Sequence, residues 1–168
     1  MLVLGIDPGL AITGFGIIHT GEQDHYDCVE YGVITTEAGL PDSERLKILF
    51  NGLTALIETH QLDSCAVEKL YFQKNVKTAL SVGQARGVTL LILAQAGLPV
   101  SEYNPNEVKQ TVCGYGNADK KQVQLMVQTL LNLEELPKPD DAADALAVAI
   151  CHIHHQSFND IIQRSQNL

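Results

Sequence analysis

Leu2-Val-Leu-Gly-Ile-Asp7, followed at once by Pro8-Gly9, is the stretch that decides the fold. It is a short run of apolar residues that ends in a carboxylate and a turn, which is typical of a buried strand with an acid at its end. Two further extended segments follow, Gly14 to His19 and Tyr26 to Thr36, and polar residues join them. The first three strands are therefore predicted to form an antiparallel meander.

The remainder of the chain alternates helices with single strands. Apolar residues recur with helical spacing from Leu46 to Ile57, after Pro41, and predict an amphipathic helix. Ser64 to Glu68 is a second short apolar run that ends in a carboxylate. This order predicts an α/β fold with a mixed sheet of about five strands flanked by helices. The other predicted elements are a loop over Lys69 to Lys77, a strand over Pro99 to Tyr103, and helices over Thr78 to Ala96, Asn106 to Val112, Lys120 to Leu131 and Asp140 to His155.

Length and composition limit the class of protein. The chain has 168 residues, of which 45% are hydrophobic and 18% are charged, so it can bury one core. We expect a single domain over residues 1–158 and a short C-terminal tail over residues 159–168. No apolar run approaches the roughly 20 residues needed to span a bilayer, the first residues lack a secretory pattern, and the four cysteines form no C-x-x-C pair. We therefore expect a cytoplasmic protein with reduced thiols and no membrane association.

The net charge of −9 is unfavourable for binding nucleic acid, but the cations are unevenly distributed. Seven of the eleven Lys and Arg residues lie between residues 69 and 121. They either form one basic face that DNA approaches or belong to an ordinary solvated surface. Lys138 lies outside this segment, and we expect it to contribute little. The seven cations are Lys69, Lys74, Lys77, Arg86, Lys109, Lys120 and Lys121.

Four carboxylates stand where the predicted elements could bring them together. Asp7 and Glu68 each end a predicted strand, while Asp141 and Asp144 share one face at the start of the last helix. Oxygen ligands of this kind favour Mg²⁺ or Mn²⁺ over zinc. Two such ions about 3.5 to 4 Å apart stabilise the attacking and leaving oxygens of a phosphodiester, so the pattern favours phosphodiester hydrolysis. Each acid also has an ordinary interpretation, as a turn residue, a surface charge or a helix-start residue.

The same residues belong to a series of short motifs that resembles the bacterial RuvC family of crossover junction endodeoxyribonucleases. The motifs occur in the family's order between residues 4 and 147. No single motif is specific, whereas their joint occurrence is. They are Leu4-Gly-Ile-Asp-Pro-Gly9, Thr13-Gly-Phe-Gly16, Ala66-Val-Glu68, Gly83-Gln-Ala-Arg-Gly87, Val108-Lys-Gln-Thr-Val112 and Asp141-Ala-Ala-Asp-Ala-Leu-Ala147.

The resemblance implies an RNase H-like fold and a homodimer that resolves four-way (Holliday) DNA junctions by paired symmetric nicks, in homologous recombination and DNA repair. It also implies two Mg²⁺ ions per active site, with Mn²⁺ as a substitute, and the RuvA–RuvB branch-migration complex as a partner. Catalysis and metal binding are assigned to Asp7, Glu68, Asp141 and Asp144. An aromatic residue in the loop after the second acidic strand is expected to stack on junction bases, and lysines are expected near the scissile phosphate. The residues expected to contact DNA are Tyr71 or its neighbour Phe72, Lys74, Arg86, Lys109 and Lys120.

Two other functions compete with this interpretation. Asp7-Pro-Gly-Leu-Ala-Ile-Thr13 superficially resembles the phosphate loop of actin-like sugar kinases, but 168 residues supply only one lobe of such a phosphotransferase. A junction-binding protein with weak or no cleavage would suit the net charge of −9, although the retention of all four acids argues against it. Asp140 is interpreted as a bystander. A metal site at Cys151-His-Ile-His-His155 is disfavoured, because neighbouring side chains on a helix point in several directions.

Overall fold

The computed structural model describes residues 1–21, 25–69 and 76–166. In these ranges one five-stranded mixed sheet is flanked by five helices, which confirms the predicted α/β class. None of these helices is both long and apolar enough to cross a bilayer. The strands are β1 (Leu2–Asp7), β2 (Ile12–Thr20), β3 (Tyr26–Thr35), β4 (Ser64–Glu68) and β5 (Val100–Tyr103), and the helices are α1 (Asp42–Thr59), α2 (Val76–Gln95), α3 (Pro105–Cys113), α4 (Lys120–Leu130) and α5 (Asp140–Gln166).

The strand order places two predicted acids side by side. The order is β3-β2-β1-β4-β5, with β1, β2 and β3 forming the antiparallel meander expected from the sequence. Strands β4 and β1 are parallel, and Ile6 pairs with Val67. Asp7 and Glu68 follow these two residues directly, so both acids lie at the same edge of the sheet.

The two faces of the sheet bury separate parts of the core. Side chains alternate along β1, so that Val3 packs with α3, α4 and α5, whereas Leu4 and Ile6 pack with α1 and α2. Leu49 and Leu53 supply the buried side of α1. Strand β1 is therefore covered on both faces, and Asp7 at its end is held on a packed scaffold.

Helix α5 lies unusually close to the sheet because glycines face it. A Cβ atom on Gly5 would stand 2.1 Å from the carbonyl oxygen of Ala145, and one on Gly14 would stand 1.9 Å from the carbonyl oxygen of Asp141. No side chain intervenes at these two points. The helix also presents small residues there, and Ala142, Ala143, Ala145, Ala147 and Ala149 are all fully buried.

Cys151, His152 and Ile153 continue this buried face, whereas His154 and His155 are exposed. His152 is 2% exposed and its two ring nitrogens contact the Tyr103 hydroxyl at 2.9 Å and the Ser64 hydroxyl at 3.0 Å. Burial lowers the pKa of His152 to about 4, so the ring is neutral at physiological pH. The Cys151 thiol contacts Thr111 instead. These contacts give the segment a role in joining α5 to β4, β5 and α3.

Two boundaries differ from the sequence prediction. Helix α5 continues to Gln166, well past its predicted end at His155, so residues 159–166 are helical. The reason is local, since the segment after His152 contains neither Gly nor Pro to end a helix. Helix α2 already begins at Val76, within the predicted loop, and the part of that loop over residues 70–75 lies outside the described residues.

We predict that Gly5→Ala lowers the free energy of unfolding by about 3 kcal/mol, because the new methyl group would collide with the α5 backbone. Gly39→Ala is the matched control, since a Cβ atom there meets nothing within 4 Å. Its free energy of unfolding should stay within about 1 kcal/mol of that of the unmodified chain. Urea denaturation measures both, and equal stabilities of the two variants would contradict the close packing of α5.

Candidate active site

The structure brings the four predicted acids together. Asp7 and Glu68 share a side-chain hydrogen bond at the sheet edge. Asp7 also pairs with Gly14 across β1 and β2, and the backbone of Asp141 rests on that glycine. The first turns of α5 thereby carry Asp141 and Asp144 to the strand ends, and both carboxylates act electrostatically on Asp7. Three separate elements thus contribute to one acidic cluster, which we call the carboxylate cluster: Asp7, Glu68, Asp141 and Asp144.

Burial and mutual repulsion raise the pKa values of three acids of the carboxylate cluster, Asp7, Glu68 and Asp144. Burial, followed by the negative charges of Asp144 and Asp141, raises the pKa of Asp7 to about 7. The pKa of Glu68 rises to about 8, first through burial and then through the charges of Asp7 and Asp144. Burial also raises the pKa of Asp144, against the opposing effect of Lys120. Perturbations of this kind are typical of functional sites.

Two of the predicted lysines face the cluster. The Nζ atom of Lys120, in the first turn of α4, lies 3.7 Å from Oδ2 of Asp144, and that carboxylate raises the pKa of the lysine. Lys109 of α3 is close enough to lower the pKa of Glu68. The Lys120 side chain is 68% exposed. A cation that is tethered near the acids and yet reaches into solvent is well placed to contact an anionic substrate.

The donor set of the carboxylate cluster fits a hard divalent cation, which prefers oxygen ligands. In residues 1–21, 25–69 and 76–166, no three Asp, Glu, His or Cys side chains are already gathered as ligands around one point. The four acids are therefore neighbours whose side chains must turn inward to share an ion. A bound cation would relieve both effects that raise the pKa values of Asp7, Glu68 and Asp144, namely burial and repulsion, and this agreement supports the fit.

The remaining predicted DNA contacts fall into two groups. Tyr71, Phe72 and Lys74 lie outside the described residues. Arg86 is described, and its guanidinium donates to the carboxylate of Glu102 with only 17% of its side chain exposed. The ion pair joins α2 to β5, which gives Arg86 a structural role, and its contact with DNA stays a prediction.

A groove of about 640 Å³ is lined by Lys120 and by one acid of the carboxylate cluster, Asp141. Lys138 also lines this groove, and its small contribution stays a prediction. Asp140 accepts a hydrogen bond of 2.7 Å from Gln124, which ties α5 to α4 and agrees with its interpretation as a bystander. Sequence analysis also missed Arg45, which lines a second groove together with Asp141. No motif marks Arg45, and the packing of α1 brings it near Asp141.

Comparison with known proteins gives concordant matches over nearly the whole chain. The family model described as "Crossover junction endodeoxyribonuclease RuvC" matches residues 3–152. A protein of that name from Pelotomaculum thermopropionicum is 54% identical, with 94% of this chain and 96% of that protein covered. Another, from Chloroflexus aurantiacus, is 58% identical, with 92% and 93% covered.

A solved structure shows the same architecture. It is "T. thermophilus RuvC in complex with Holliday junction substrate", which superposes with a TM-score of 0.89 at 33% identity. The match covers 95% of this chain and 96% of that one. Together with the strand order, it confirms the expected RNase H-like fold.

We predict that Asp7→Asn stabilises the metal-free protein at high pH. The folded-state pKa values of Asp7 and Glu68, about 7 and 8, exceed their ordinary values near 4, so the unfolded chain loses these protons first. Stability therefore falls as the pH rises from about 4 to about 8. In EDTA at pH 8, the free energy of unfolding of Asp7→Asn should exceed that of the unmodified chain by on the order of 3 kcal/mol, and the difference should largely vanish at pH 4.

Urea denaturation across this pH range measures the effect. Glu58→Gln is the control, because Glu58 is an exposed carboxylate on α1, and its stability should follow that of the unmodified chain at each pH. A variant Asp7→Asn that is less stable than the unmodified chain at pH 8 would contradict the proposed repulsion.

Proposed function

The chain belongs to the RuvC family of crossover junction endodeoxyribonucleases, and we propose from this premise that it resolves four-way DNA junctions by hydrolysing phosphodiester bonds. The observation that carries the proposal is the carboxylate cluster, in which three elements place four acids at one sheet edge. The same site includes Lys109 and Lys120, cations of the kind that bind phosphate. A protein that only bound junctions would have no use for buried carboxylates that repel both one another and DNA.

The four acids are the proposed metal ligands, and two Mg²⁺ ions, replaceable by Mn²⁺, are the proposed cofactors. Asp7, Glu68, Asp141 and Asp144 offer the oxygen ligands that these ions prefer. Bound ions of this type stabilise the attacking and leaving oxygens of an in-line phosphodiester displacement. Lys120, whose Nζ atom lies 3.7 Å from Asp144, would neutralise part of the charge on the substrate phosphate. Cytoplasmic location and association with RuvA and RuvB remain predictions from the family resemblance.

A homodimer is proposed because two strands of the same polarity must be cut in a four-way junction. A two-fold symmetric dimer presents two identical active sites to them. Helix α2 offers a suitable surface. Leu80 and Leu91 are 67% and 54% exposed, and a Cβ atom on Gly87 would meet nothing within 4 Å. An uncharged stripe of this kind on a long apolar helix is typical of an interface. Its exposed members are Leu80, Gln84, Gly87, Leu91 and Ala94.

We predict that Glu68→Gln reduces cleavage of a synthetic four-way junction in Mg²⁺ by at least about 100-fold, because it removes a charged metal ligand. Binding of the junction in Ca²⁺ should change by less than about threefold, since most contacts with DNA lie elsewhere. The matched control is again Glu58→Gln, which should cleave and bind like the unmodified chain. A folded Glu68→Gln protein that cuts at the unmodified rate would refute the assignment of the metal ligands.

We predict that Leu91→Glu converts the protein to a monomer, because it places a charge in the proposed α2 interface. The monomer should nick junctions without paired cutting. Leu125→Glu is the control, since Leu125 is a similarly exposed leucine on α4, 45% exposed, and this variant should remain dimeric. Light scattering gives the oligomeric state, and a cruciform plasmid separates nicks from paired cuts. A dimeric Leu91→Glu variant would contradict the interface, and a verified monomer with efficient paired cutting would contradict the need for a dimer.

A further inference from the structure

The second groove beside the carboxylate cluster carries a cation that none of the assigned roles uses. It has a volume of about 480 Å³, and we call it the Arg45 groove. The turn between β1 and β2, directly after Asp7, forms one wall, and Asp141 belongs to both the groove and the cluster. A molecule in this groove therefore lies next to the reacting phosphate. Its lining residues are Gly9, Leu10, Ala11, Ile12, Arg45, Ser81, Val82 and Asp141.

A short chain of hydrogen bonds fixes the direction of the Arg45 side chain. Its Nε atom donates to the Thr36 hydroxyl at 2.8 Å, and that hydroxyl donates to the carbonyl oxygen of Leu10 at 2.5 Å. Arg45 is thus tied through Thr36 to the turn that follows Asp7. The bond engages Nε alone, so the outer nitrogens of the guanidinium remain for another partner.

The charge of Arg45 is poorly compensated by the protein. Only 13% of the side chain is exposed. Among the described residues, the carboxylate found within 4 Å is that of Asp42, at 3.9 Å, and its side chain is 56% exposed. A contact of that length with an exposed acid contributes little. A largely buried guanidinium in this situation favours a second anion, and its planar fork matches the two free oxygens of a phosphate.

We propose that the Arg45 groove binds a backbone phosphate of the junction strand next to the phosphate that is cleaved, with Arg45 as its ligand. This inference rests on the proposed function, which supplies the DNA strand. Asp141 also lines the groove beside Lys120, so cations reach the strand from both grooves that adjoin the carboxylate cluster. The strand would then be held on two sides of the bond that breaks, which restricts the orientation of the scissile phosphate.

Binding of a labelled four-way junction in Ca²⁺ at several salt concentrations tests the proposal. Arg45→Gln should weaken binding about tenfold and lower the slope of log affinity against log salt by about 0.9, the value for one lost phosphate contact. Lys47→Gln is the matched control, because Lys47 lies on the exposed side of the same helix and outside the groove. The salt slope of Lys47→Gln should differ from that of the unmodified chain by less than half of the change in slope caused by Arg45→Gln. An unchanged slope in Arg45→Gln would overturn the proposal and leave Arg45 as a structural partner of Thr36.

Two further variants separate phosphate binding from positioning. Thr36→Val removes the acceptor for Nε but keeps the cation, so it should leave the salt slope unchanged. If Thr36→Val reproduces the whole effect of Arg45→Gln, slope included, Arg45 acts only by holding the turn. Arg45→Lys keeps the charge but loses the fork, and it should bind about threefold more weakly with an almost unchanged slope. Affinity of Arg45→Lys equal to that of the unmodified chain would exclude recognition by the fork.

Circular dichroism confirms that each variant is folded before binding is measured. Failure of the unmodified chain to bind or cut a junction would refute the proposed function itself. Normal binding and cutting by the unmodified chain, with no Arg45 effect on the slope, would refute the Arg45 groove alone.

Discussion

The direct contact between α5 and the sheet is the constraint on which the rest of the structure depends. Gly5 and Gly14 have no side chains, so the backbone of α5 rests on β1 and β2 at the positions of Ala145 and Asp141. This contact brings the start of the helix to the strand end that carries Asp7. With a larger residue at Gly14, Asp141 would be displaced from that edge. The small residues of the core therefore set the geometry of the acids.

The arrangement of the four acids is electrostatically unfavourable unless a cation binds to them. Burial and repulsion raise the pKa of Asp7 to about 7 and that of Glu68 to about 8. Lys120 and Lys109 offset part of the negative charge, but burial still dominates at Asp144. The four acids lower the free energy of unfolding of the metal-free protein, and a bound cation would restore it. Such opposition between stability and function is common in enzymes. The same negative charge makes cations in the adjoining grooves important for binding DNA.

The sequence predicted the parts of the site that local patterns determine. Asp7 and Glu68 could be placed because each ends a short apolar run, and the parallel register of β1 and β4 then brings them together. The extent of α5 was underestimated, since tail residues with neither Gly nor Pro simply continue the helix. Arg45 could not be recognised, because its proximity to Asp141 depends on how α1 packs. Pattern alone also gives no measure of desolvation, which is the largest influence on the carboxylate pKa values.

A crystal structure of the protein with Mn²⁺, analysed by anomalous scattering, tests the central claim most directly. The account predicts two Mn²⁺ ions about 3.5 to 4 Å apart at the carboxylate cluster, each bonded to at least one of its four acids. Crystals of Glu68→Gln grown in the same Mn²⁺ concentration should lose anomalous density at one or both positions. Mn²⁺ bound elsewhere on the protein, with no anomalous peak in contact with Asp7 or Glu68, would contradict the claim that α5 and the sheet assemble a metal centre.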